Sequence, residues 1–164
     1  VSDNPAANIM IREMGGLDAW RDWLRTLGDT STTVNRWEPD LNSAVAGDPR
    51  DTALPDQTVG NLREVLLDAR LTAEHRRLLE GWMLSSPTGP NRIKAAAPTG
   101  WTVAHKTGTG ANGATNDIGL LRPPSGQPVL VAAYFTEAPD ATTAQREAVL
   151  ADGVREALRA LGHG

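Results

Sequence analysis

The sequence predicts an α+β fold in which helices precede a short antiparallel meander and a terminal helix follows it. Three observations predict this order. Outside one long polar stretch, apolar residues in the first half recur three and four positions apart, as in amphipathic helices. From Trp101 onward, short apolar runs are separated by turn residues, a pattern typical of strands. The last segment returns to helical spacing, and no βαβ unit repeats along the chain.

The first half predicts a series of helices joined by polar loops. Asp3 or Asn4 can cap the first helix, which continues from Ala6 to Met14 with Pro5 in its first turn. The apolar faces of the next helices are formed by Leu17, Trp20, Leu24 and Leu27, with Trp23 beside them and a stop at Gly28; by Val59, Leu62, Val65 and Leu66; and by Leu78, Leu79, Trp82 and Met83, in a helix that Thr72 can cap.

The segment from Asp29 to Pro55 has loop composition and is longer than an ordinary connection, which indicates a functional or disordered region. Its part from Arg36 to Asp51 has the size of a compact Ω-loop, and these two end residues can pair and clamp it shut. Glu38 and Asn42 could together hold a water, because a carboxylate can take its proton while an amide orients it. The simpler interpretation is a solvated loop with scattered charges.

The second half predicts a small sheet and a helix. The strands are Trp101 to Thr107, Ile118 to Leu121 and Val129 to Phe135, with a turn at residues 123–126 between the last two. Three strands make a thin sheet whose edges and apolar faces need cover. A capping box opens the terminal amphipathic helix, formed by Thr142 and Gln145 and followed by the apolar residues Val149 or Leu150, Val154, Leu158 and Leu161.

Composition excludes several classes of function. Lys and Arg number 16 against 20 Asp and Glu, a net charge of −4, and this balance without a basic run argues against nucleic-acid binding. Cysteine is absent, which excludes disulfides, thiol nucleophiles and thiolate metal sites. His75, His105 and His163 lack metal-ligand spacing, so we expect no metal site. No apolar run reaches the ~20 residues of a membrane helix, so we expect no membrane partner.

Three short motifs are ambiguous when each is taken alone. The glycines of residues 108–113 match the dinucleotide fingerprint G-x-G-x-x-G, but a strand follows them instead of a helix, which favours a glycine-rich hairpin. Ser2-Asp3-Asn4 has the composition of a helix cap. In residues 106–108, K-T-G, the lysine could attract an anion, the threonine could bind it, and the glycine would let a ligand approach the backbone.

Together, S-D-N, K-T-G and the glutamate-bearing loop between them form an ordered set. With S-x-x-K, the first two are the motifs of class A β-lactamases and penicillin-binding proteins. The chain resembles the class A serine β-lactamases from its first residues nearly to its last. The resemblance implies a β-lactamase/transpeptidase-like fold, with residues 1–93 in a helical subdomain and residues 94–164 forming the C-terminal part of an α/β subdomain, the terminal helix packed on the strands. It also implies hydrolysis of β-lactam antibiotics through a serine acyl-enzyme, with no metal or organic cofactor.

The resemblance assigns catalytic roles by motif. Ser2 would relay a proton to the β-lactam nitrogen, and Lys106 would supply positive charge near Ser2 and the substrate carboxylate. Asn4 would hydrogen-bond the acylamide side chain of the substrate. Glu38 would activate the deacylating water, and Asn42 would share that water; the role of this glutamate in acylation is disputed.

The resemblance also implies a binding site for the substrate carboxylate. Thr107 and Thr109 would hydrogen-bond it across Gly108, and the Thr109 N–H would form half of an oxyanion hole. Some family members bind this carboxylate with an arginine on the strand after K-T-G, where this chain has Thr115. Others place the arginine before the K-T-G strand, which points to Arg92, although an ordinary surface arginine is the simpler interpretation.

Two further positions give separate predictions. His105 stands where the family usually has aspartate; neighbouring strand residues face opposite sides, so it should point away from the substrate and affect packing more than chemistry. The family often has a cis peptide after its glutamate, and proline lowers the cost of the cis form to ~0.5–1 kcal/mol, against ~3 for other residues. We therefore predict a cis Glu38–Pro39 bond.

The serine and lysine of S-x-x-K are missing, because no serine here has a lysine three positions later. In the family both precede S-D-N, so this chain, which begins at Val1, looks like the C-terminal portion of a β-lactamase. We therefore expect an N-terminal portion carrying S-x-x-K as a partner, and an inactive isolated chain. The family also leads us to expect a periplasmic or secreted protein.

Two other functions stay open. A penicillin-binding transpeptidase or carboxypeptidase shares the serine chemistry and K-T-G, but it lacks a dedicated deacylation base such as Glu38 with Asn42. A non-catalytic fragment that only folds against an N-terminal partner is the other alternative, and the missing S-x-x-K favours it for the chain in isolation.

Overall fold

The predicted order of helices, antiparallel strands and terminal helix is confirmed, and the fold is α+β. The computed structural model describes residues 2–163. The helices are α1 (Asn4–Glu13), α2 (Gly16–Thr26), α3 (Pro55–Leu66), α4 (Ala73–Leu84), α5 (Ile93–Ala96) and α6 (Thr143–Ala160); the strands are β1 (Thr102–Thr109), β2 (Thr115–Arg122) and β3 (Val129–Phe135). A 3₁₀ turn at Asp40–Asn42 lies in the long polar segment.

The strands form an antiparallel sheet in the order β1-β2-β3. Both β1 and β2 extend beyond the apolar runs that predicted them, because the polar residues at their ends also join the ladder, down to the pair Thr109 and Thr115. K-T-G therefore lies inside β1. The glycine-rich segment is a hairpin connection, as expected; Asn112 and Gly113 adopt positive φ angles of 51° and 81° there.

The core consists of two apolar clusters, one on each face of the sheet. Val103 and Leu121 face α5 and α6, whereas their strand neighbours Ala104 and Leu120 face α3 and α4, as the alternation of side chains in a strand requires. The first cluster is completed by Ile93, Ala96, Leu150, Ala151, Val154 and Leu158, and the second by Leu62, Leu66 and Met83. α6 thus packs on the sheet, as predicted.

The apolar faces of two helices are narrower than predicted. In α4 only Met83 is buried and Leu79 is partly buried, whereas Leu78 and Trp82 are 48% and 62% exposed. The prediction of four apolar positions on one packed face is wrong there, since β1 and α3, against which α4 packs, leave Leu78 and Trp82 uncovered. In the terminal helix Leu150 is buried and Val149 is exposed; Leu161, predicted for the same face, is also exposed, because it lies just beyond the end of α6.

Helix ends follow the local signals in the sequence. Asp3 is the N-cap of α1, with its side chain accepting from the Ala6 N–H at 2.8 Å. Thr72 caps α4, and Thr142 forms the predicted capping box with Gln145. Between residues 2 and 163, no helix is both long and apolar enough to span a bilayer.

Candidate active site

S-D-N, at the start of the chain, lies against K-T-G, near the end of β1. Lys106 Nζ donates a hydrogen bond to Ser2 Oγ at 2.6 Å, and it also donates to the Thr107 carbonyl at 2.7 Å. Ser2 lies one residue before the cap of α1, so the helix fixes the direction in which the chain enters the site. S-D-N and K-T-G therefore form one cluster, although 104 positions separate Ser2 from Lys106.

The Lys106 ammonium lies among several charged groups. Partial burial lowers its pKa below the ordinary value, and the positive charge of Arg92 lowers it further. The carboxylates of Asp117 and Glu38 act in the opposite direction and raise it. The net effect is a lowered pKa, and the influence of Glu38 shows that the polar segment brings its carboxylate into the electrostatic range of K-T-G.

Glu38 and Asn42 also meet, as predicted. Asn42 Nδ2 donates to Glu38 Oε2, and the 3₁₀ turn between them brings the two side chains together. The Glu38–Pro39 bond is cis, which confirms that prediction. The carboxylate and amide thus form a polar pair of the kind that can accept a proton from a water and orient it.

Asn8 fixes the backbone of Glu38, a role the sequence analysis missed. Asn8 Nδ2 donates to the Glu38 carbonyl and Asn8 Oδ1 accepts from the Glu38 N–H, both at 2.9 Å. A signal was present in the sequence, because Asn8 lies four positions after Asn4 and therefore on the same face of α1. Asn4 itself is exposed at the first turn of α1.

The ends of the polar loop are joined by a network around Asp51. Arg36 Nε donates to Asp51 Oδ2 at 2.6 Å, and Asp51 Oδ1 accepts from the backbone N–H groups of Asn35 and Arg36. Burial raises the pKa of the Asp51 carboxyl, but these hydrogen bonds outweigh it and leave the pKa lowered. Asp48 adds a second carboxylate 3.9 Å from the Arg36 guanidinium.

Arg92 is buried and bonded on every side of its guanidinium, so the interpretation as an ordinary surface arginine is wrong. Nε donates to Glu147 at 3.0 Å, and Nη1 donates to the carbonyls of Gly108 and Asn116 at 3.0 and 2.9 Å. Nη2 donates to Thr109 Oγ1 at 2.8 Å. The arginine therefore holds the end of β1 and places a positive charge directly behind Thr109. Glu147 was not identified from the sequence, where it is one of many acidic helix residues.

Thr107 has a hydroxyl partner that the sequence analysis also missed. Thr88 Oγ1 lies 2.7 Å from Thr107 Oγ1, and Ser86 Oγ lies 3.2 Å from Thr88 Oγ1. Gly89 leaves room for this contact, since a Cβ there would overlap the Thr107 methyl group. No local pattern marks Thr88, because its partner is 19 positions away.

The polar loop packs against the hairpin after β1. The Ala111 N–H donates to the Asn42 carbonyl at 2.8 Å, and a Cβ at Gly110 would lie 2.7 Å from the same oxygen. Only glycine allows this approach. A cleft of about 590 Å³ lies between the loop and the sheet, lined by Asn42, Asp51, Lys106, Thr109, Gly110 and Glu137 among others.

His105 and Thr115 are both buried. His105 Nδ1 lies 2.9 Å from Asp117 Oδ2, so its ring faces the interior and has a carboxylate partner there. Thr115 Oγ1 accepts from Arg146 Nε at 3.2 Å. Among residues 2–163, no three His, Asp or Glu side chains cluster as a metal site would require.

Comparison with known proteins gives one consistent family. A model of the β-lactamase enzyme family matches residues 1–158. The chain is 40% identical over 162 residues to the carbapenem-hydrolysing β-lactamase KPC of Klebsiella oxytoca, covering 98% of this chain and 55% of that protein. It is also 40% identical over 161 residues to a β-lactamase of Amycolatopsis lactamdurans, covering 98% of this chain and 53% of that protein.

Solved structures agree. The class A β-lactamase reconstructed for the last common ancestor of Gram-negative bacteria superposes with a TM-score of 0.93 at 42% identity, covering 97% of this chain and 60% of the other. A β-lactamase from Burkholderia phymatum gives a TM-score of 0.92 at 38% identity, covering 97% and 60%. The chain spans about half the length of the curated relatives that it matches.

Proposed function

The chain belongs to the β-lactamase enzyme family, and on that premise we propose that the protein containing it hydrolyses β-lactam antibiotics through a serine acyl-enzyme. The observation that carries the proposal is the hydrogen bond from Lys106 to Ser2, which joins the two motifs into one proton-handling group. Glu38 with Asn42 supplies the second group, placed to activate a water. The nucleophilic serine comes from a segment outside these 164 residues.

Ser2 and Lys106 act in acylation. The nucleophilic serine gives its hydroxyl proton to the S-x-x-K lysine and attacks the lactam carbonyl. The C–N bond breaks, and the lactam nitrogen takes the proton of the Ser2 hydroxyl. Because Ser2 Oγ accepts its hydrogen bond from the Lys106 ammonium, its own O–H is free to donate to that nitrogen. The Lys106 ammonium also stabilises the negative charge left on Ser2 Oγ, which then recovers the proton that the nucleophilic serine released.

Glu38 and Asn42 act in deacylation. A water attacks the ester carbonyl and its proton passes to the Glu38 carboxylate. The ester C–O bond then breaks, and the serine oxygen leaves with the proton that Glu38 gives back. Asn42 holds the Glu38 carboxylate on one side, and Asn8 holds the Glu38 backbone on the other. Two independent contacts thus fix the base, as a positioned water requires.

The substrate carboxylate binds at the end of β1. Thr107 and Thr109 supply hydroxyl groups, and Lys106 and Arg92 supply positive charge behind them. Arg92 acts through Thr109, because its guanidinium is buried and its Nη2 is bonded to the Thr109 hydroxyl. The Thr109 N–H forms half of the oxyanion hole, and Asn4 at the start of α1 receives the acylamide side chain.

The remainder of the protein covers surfaces that are open here. β3 is an edge strand and every one of its residues is only partly buried. An apolar groove of about 500 Å³ runs between β3 and α6, and on α1 the apolar residues Ile9, Met10 and Met14 are exposed. Open edges and apolar patches of this kind are normally covered. We take the missing cover to be the N-terminal portion that carries S-x-x-K, and the relatives, about twice as long as this chain, are large enough to include one.

A penicillin-binding transpeptidase or carboxypeptidase fits the site less well. Such an enzyme lacks a dedicated deacylation base on a loop of this kind. The Glu38–Asn42 pair, held by Asn8, favours rapid hydrolysis instead. On the basis of the family, we place the protein in the periplasm or outside the cell.

The test compares the chain alone with the full-length protein. We expect no hydrolysis of the chromogenic cephalosporin nitrocefin by the 164-residue chain, and turnover by the full-length protein or by the chain co-expressed with its N-terminal portion. Turnover by the chain alone would contradict the external nucleophile. Covalent labelling of the full-length protein by a fluorescent penicillin without turnover would instead favour the transpeptidase-type alternative.

A further inference from the structure

His105 and Asp117 form a buried ionisable pair that the proposed mechanism does not use. The two residues are 1% and 0% exposed, and His105 Nδ1 lies 3.1 and 2.9 Å from the two Asp117 carboxylate oxygens. Asp117 pairs in register with Thr107, so its carboxylate lies beside Thr107 on the same face of the sheet. Burying a carboxylate costs free energy unless its oxygens accept hydrogen bonds. The partners of Asp117 therefore indicate what the buried pair does.

The ring of His105 has only one polar partner. Its Nε2 is buried and makes no hydrogen bond within residues 2–163. A buried N–H without an acceptor costs more than an unused lone pair, and orphaned N–H donors are rare in proteins. A doubly protonated ring would create such a donor at Nε2. The geometry therefore favours a neutral ring that carries its proton on Nδ1 and donates it to Asp117.

Asp117 in turn connects three elements. Its Oδ2 accepts from the Ile93 N–H at 3.1 Å, at the start of α5 and one residue after Arg92. Arg92 itself bonds the carbonyl of Asn116, the neighbour of Asp117 on β2. The Asp117 carboxylate also raises the pKa of Lys106 and so favours its ammonium form. One carboxylate thus holds β1, β2 and the chain that carries Arg92.

We propose that His105 and Asp117 are a positioning pair: the neutral His105 orients the Asp117 carboxylate, which sets Arg92 and Lys106 for binding the substrate carboxylate. The pair touches no substrate and acts only through those two cations. This inference rests on the proposed function. It predicts that loss of the Nδ1–H donor weakens substrate binding more than it slows the acyl-transfer steps.

The first experiment compares two variants of the full-length protein. His105→Asn keeps an N–H donor near the position of Nδ1, whereas His105→Leu has a similar size and no donor. We expect the leucine variant to raise KM about tenfold or more with a smaller change in kcat, as for the loss of a hydrogen bond to a charged group. The asparagine variant should restore most of the loss. Equal effects of both variants, or a loss confined to kcat, would overturn the proposal.

The second experiment needs no substitution and no activity. With ¹⁵N-labelled histidine, the NMR spectrum of the full-length protein should show a His105 ring that is protonated at Nδ1 and unprotonated at Nε2 near neutral pH. A proton on Nε2, in either the other tautomer or the charged ring, overturns the positioning pair even if β-lactams are hydrolysed. An Nδ1-protonated ring in a protein without β-lactam turnover contradicts the proposed function alone.

Discussion

Arg92 donates a hydrogen bond from Nη2 to Thr109 Oγ1 at 2.8 Å, although the arginine side chain is buried behind the strand. The same guanidinium forms an ion pair with Glu147 at 3.0 Å. Arg92 therefore acts on the proposed carboxylate site through the Thr109 hydroxyl group, which it polarises, and not by direct contact. This relay makes the contribution of Arg92 dependent on Thr109, which kinetics can measure.

Arg92→Gln should raise KM for β-lactams by about 10–100-fold, as expected for a charge-assisted hydrogen bond worth ~1.5–3 kcal/mol, with a smaller change in kcat. Thr109→Ala is the partner in a double-mutant cycle on the full-length protein. We expect the combined loss to be clearly smaller than the sum of the single losses, because both variants interrupt one relay. Additive losses would show that Arg92 acts independently of Thr109.

Glu38→Ala should leave acylation measurable and slow deacylation by about 10²–10⁴-fold, the usual contribution of a general base. Mass spectrometry of the full-length variant mixed with a β-lactam should then show accumulated acyl-enzyme. Asp40→Ala is the matched control, since Asp40 is an exposed carboxylate two positions further along the same loop. If no adduct accumulates in the Glu38 variant, the deacylation role is wrong.

Arg36→Ser should loosen the polar loop, because it removes the 2.6 Å ion pair with Asp51. We expect amide hydrogen exchange across residues 36–51 to become about tenfold faster or more, as for a lost hydrogen bond between charged groups. Arg50→Ser is the control: its side chain is 55% exposed, and ion pairs at the surface contribute ~0–1 kcal/mol. Unchanged exchange in the Arg36 variant would contradict the clamp.

Asp29 should make the free energy of unfolding depend on pH in the acidic range. Burial alone would raise its pKa, but hydrogen bonds from the Thr32 side chain and backbone, from Asn61 and from the Ser31 backbone lower it from 3.8 to about 2. Because the folded-state pKa is lowered, the stabilisation is complete above about pH 4 and is lost as the pH falls toward 2. The shift corresponds to about 2 kcal/mol.

The check is the free energy of unfolding of the full-length protein across this pH range. Asp29→Asn should reduce it at neutral pH and should weaken its dependence on pH between 4 and 2, because the titrating group is gone. Parallel pH curves for the two proteins would mean that Asp29 does not contribute this acid sensitivity.

Local signals in the sequence predicted the helix starts well, because a capping hydroxyl group acts on an N–H group only a few residues away. The cap at Thr72 and the capping box at Thr142 predicted helix starts, because a hydroxyl three residues before a free N–H satisfies it locally. The apolar face of α4 was predicted too wide. Leu78 and Trp82 have the right helical spacing, but spacing cannot say how much of a helix surface its neighbours cover.

The sequence alone determined the family resemblance, the α+β order, and the identity of Ser2, Lys106, Glu38 and Asn42 as candidates, since these depend on motifs and their order. Only the tertiary structure decided that Arg92 is buried and bonded to Thr109, that Asn8 holds Glu38, and that His105 meets Asp117. These contacts join residues 12 to 30 positions apart on different elements. Periodicity and capping report on the nearest few residues, whereas the partner of a buried polar group is selected by packing, which must satisfy every donor and acceptor that it removes from water.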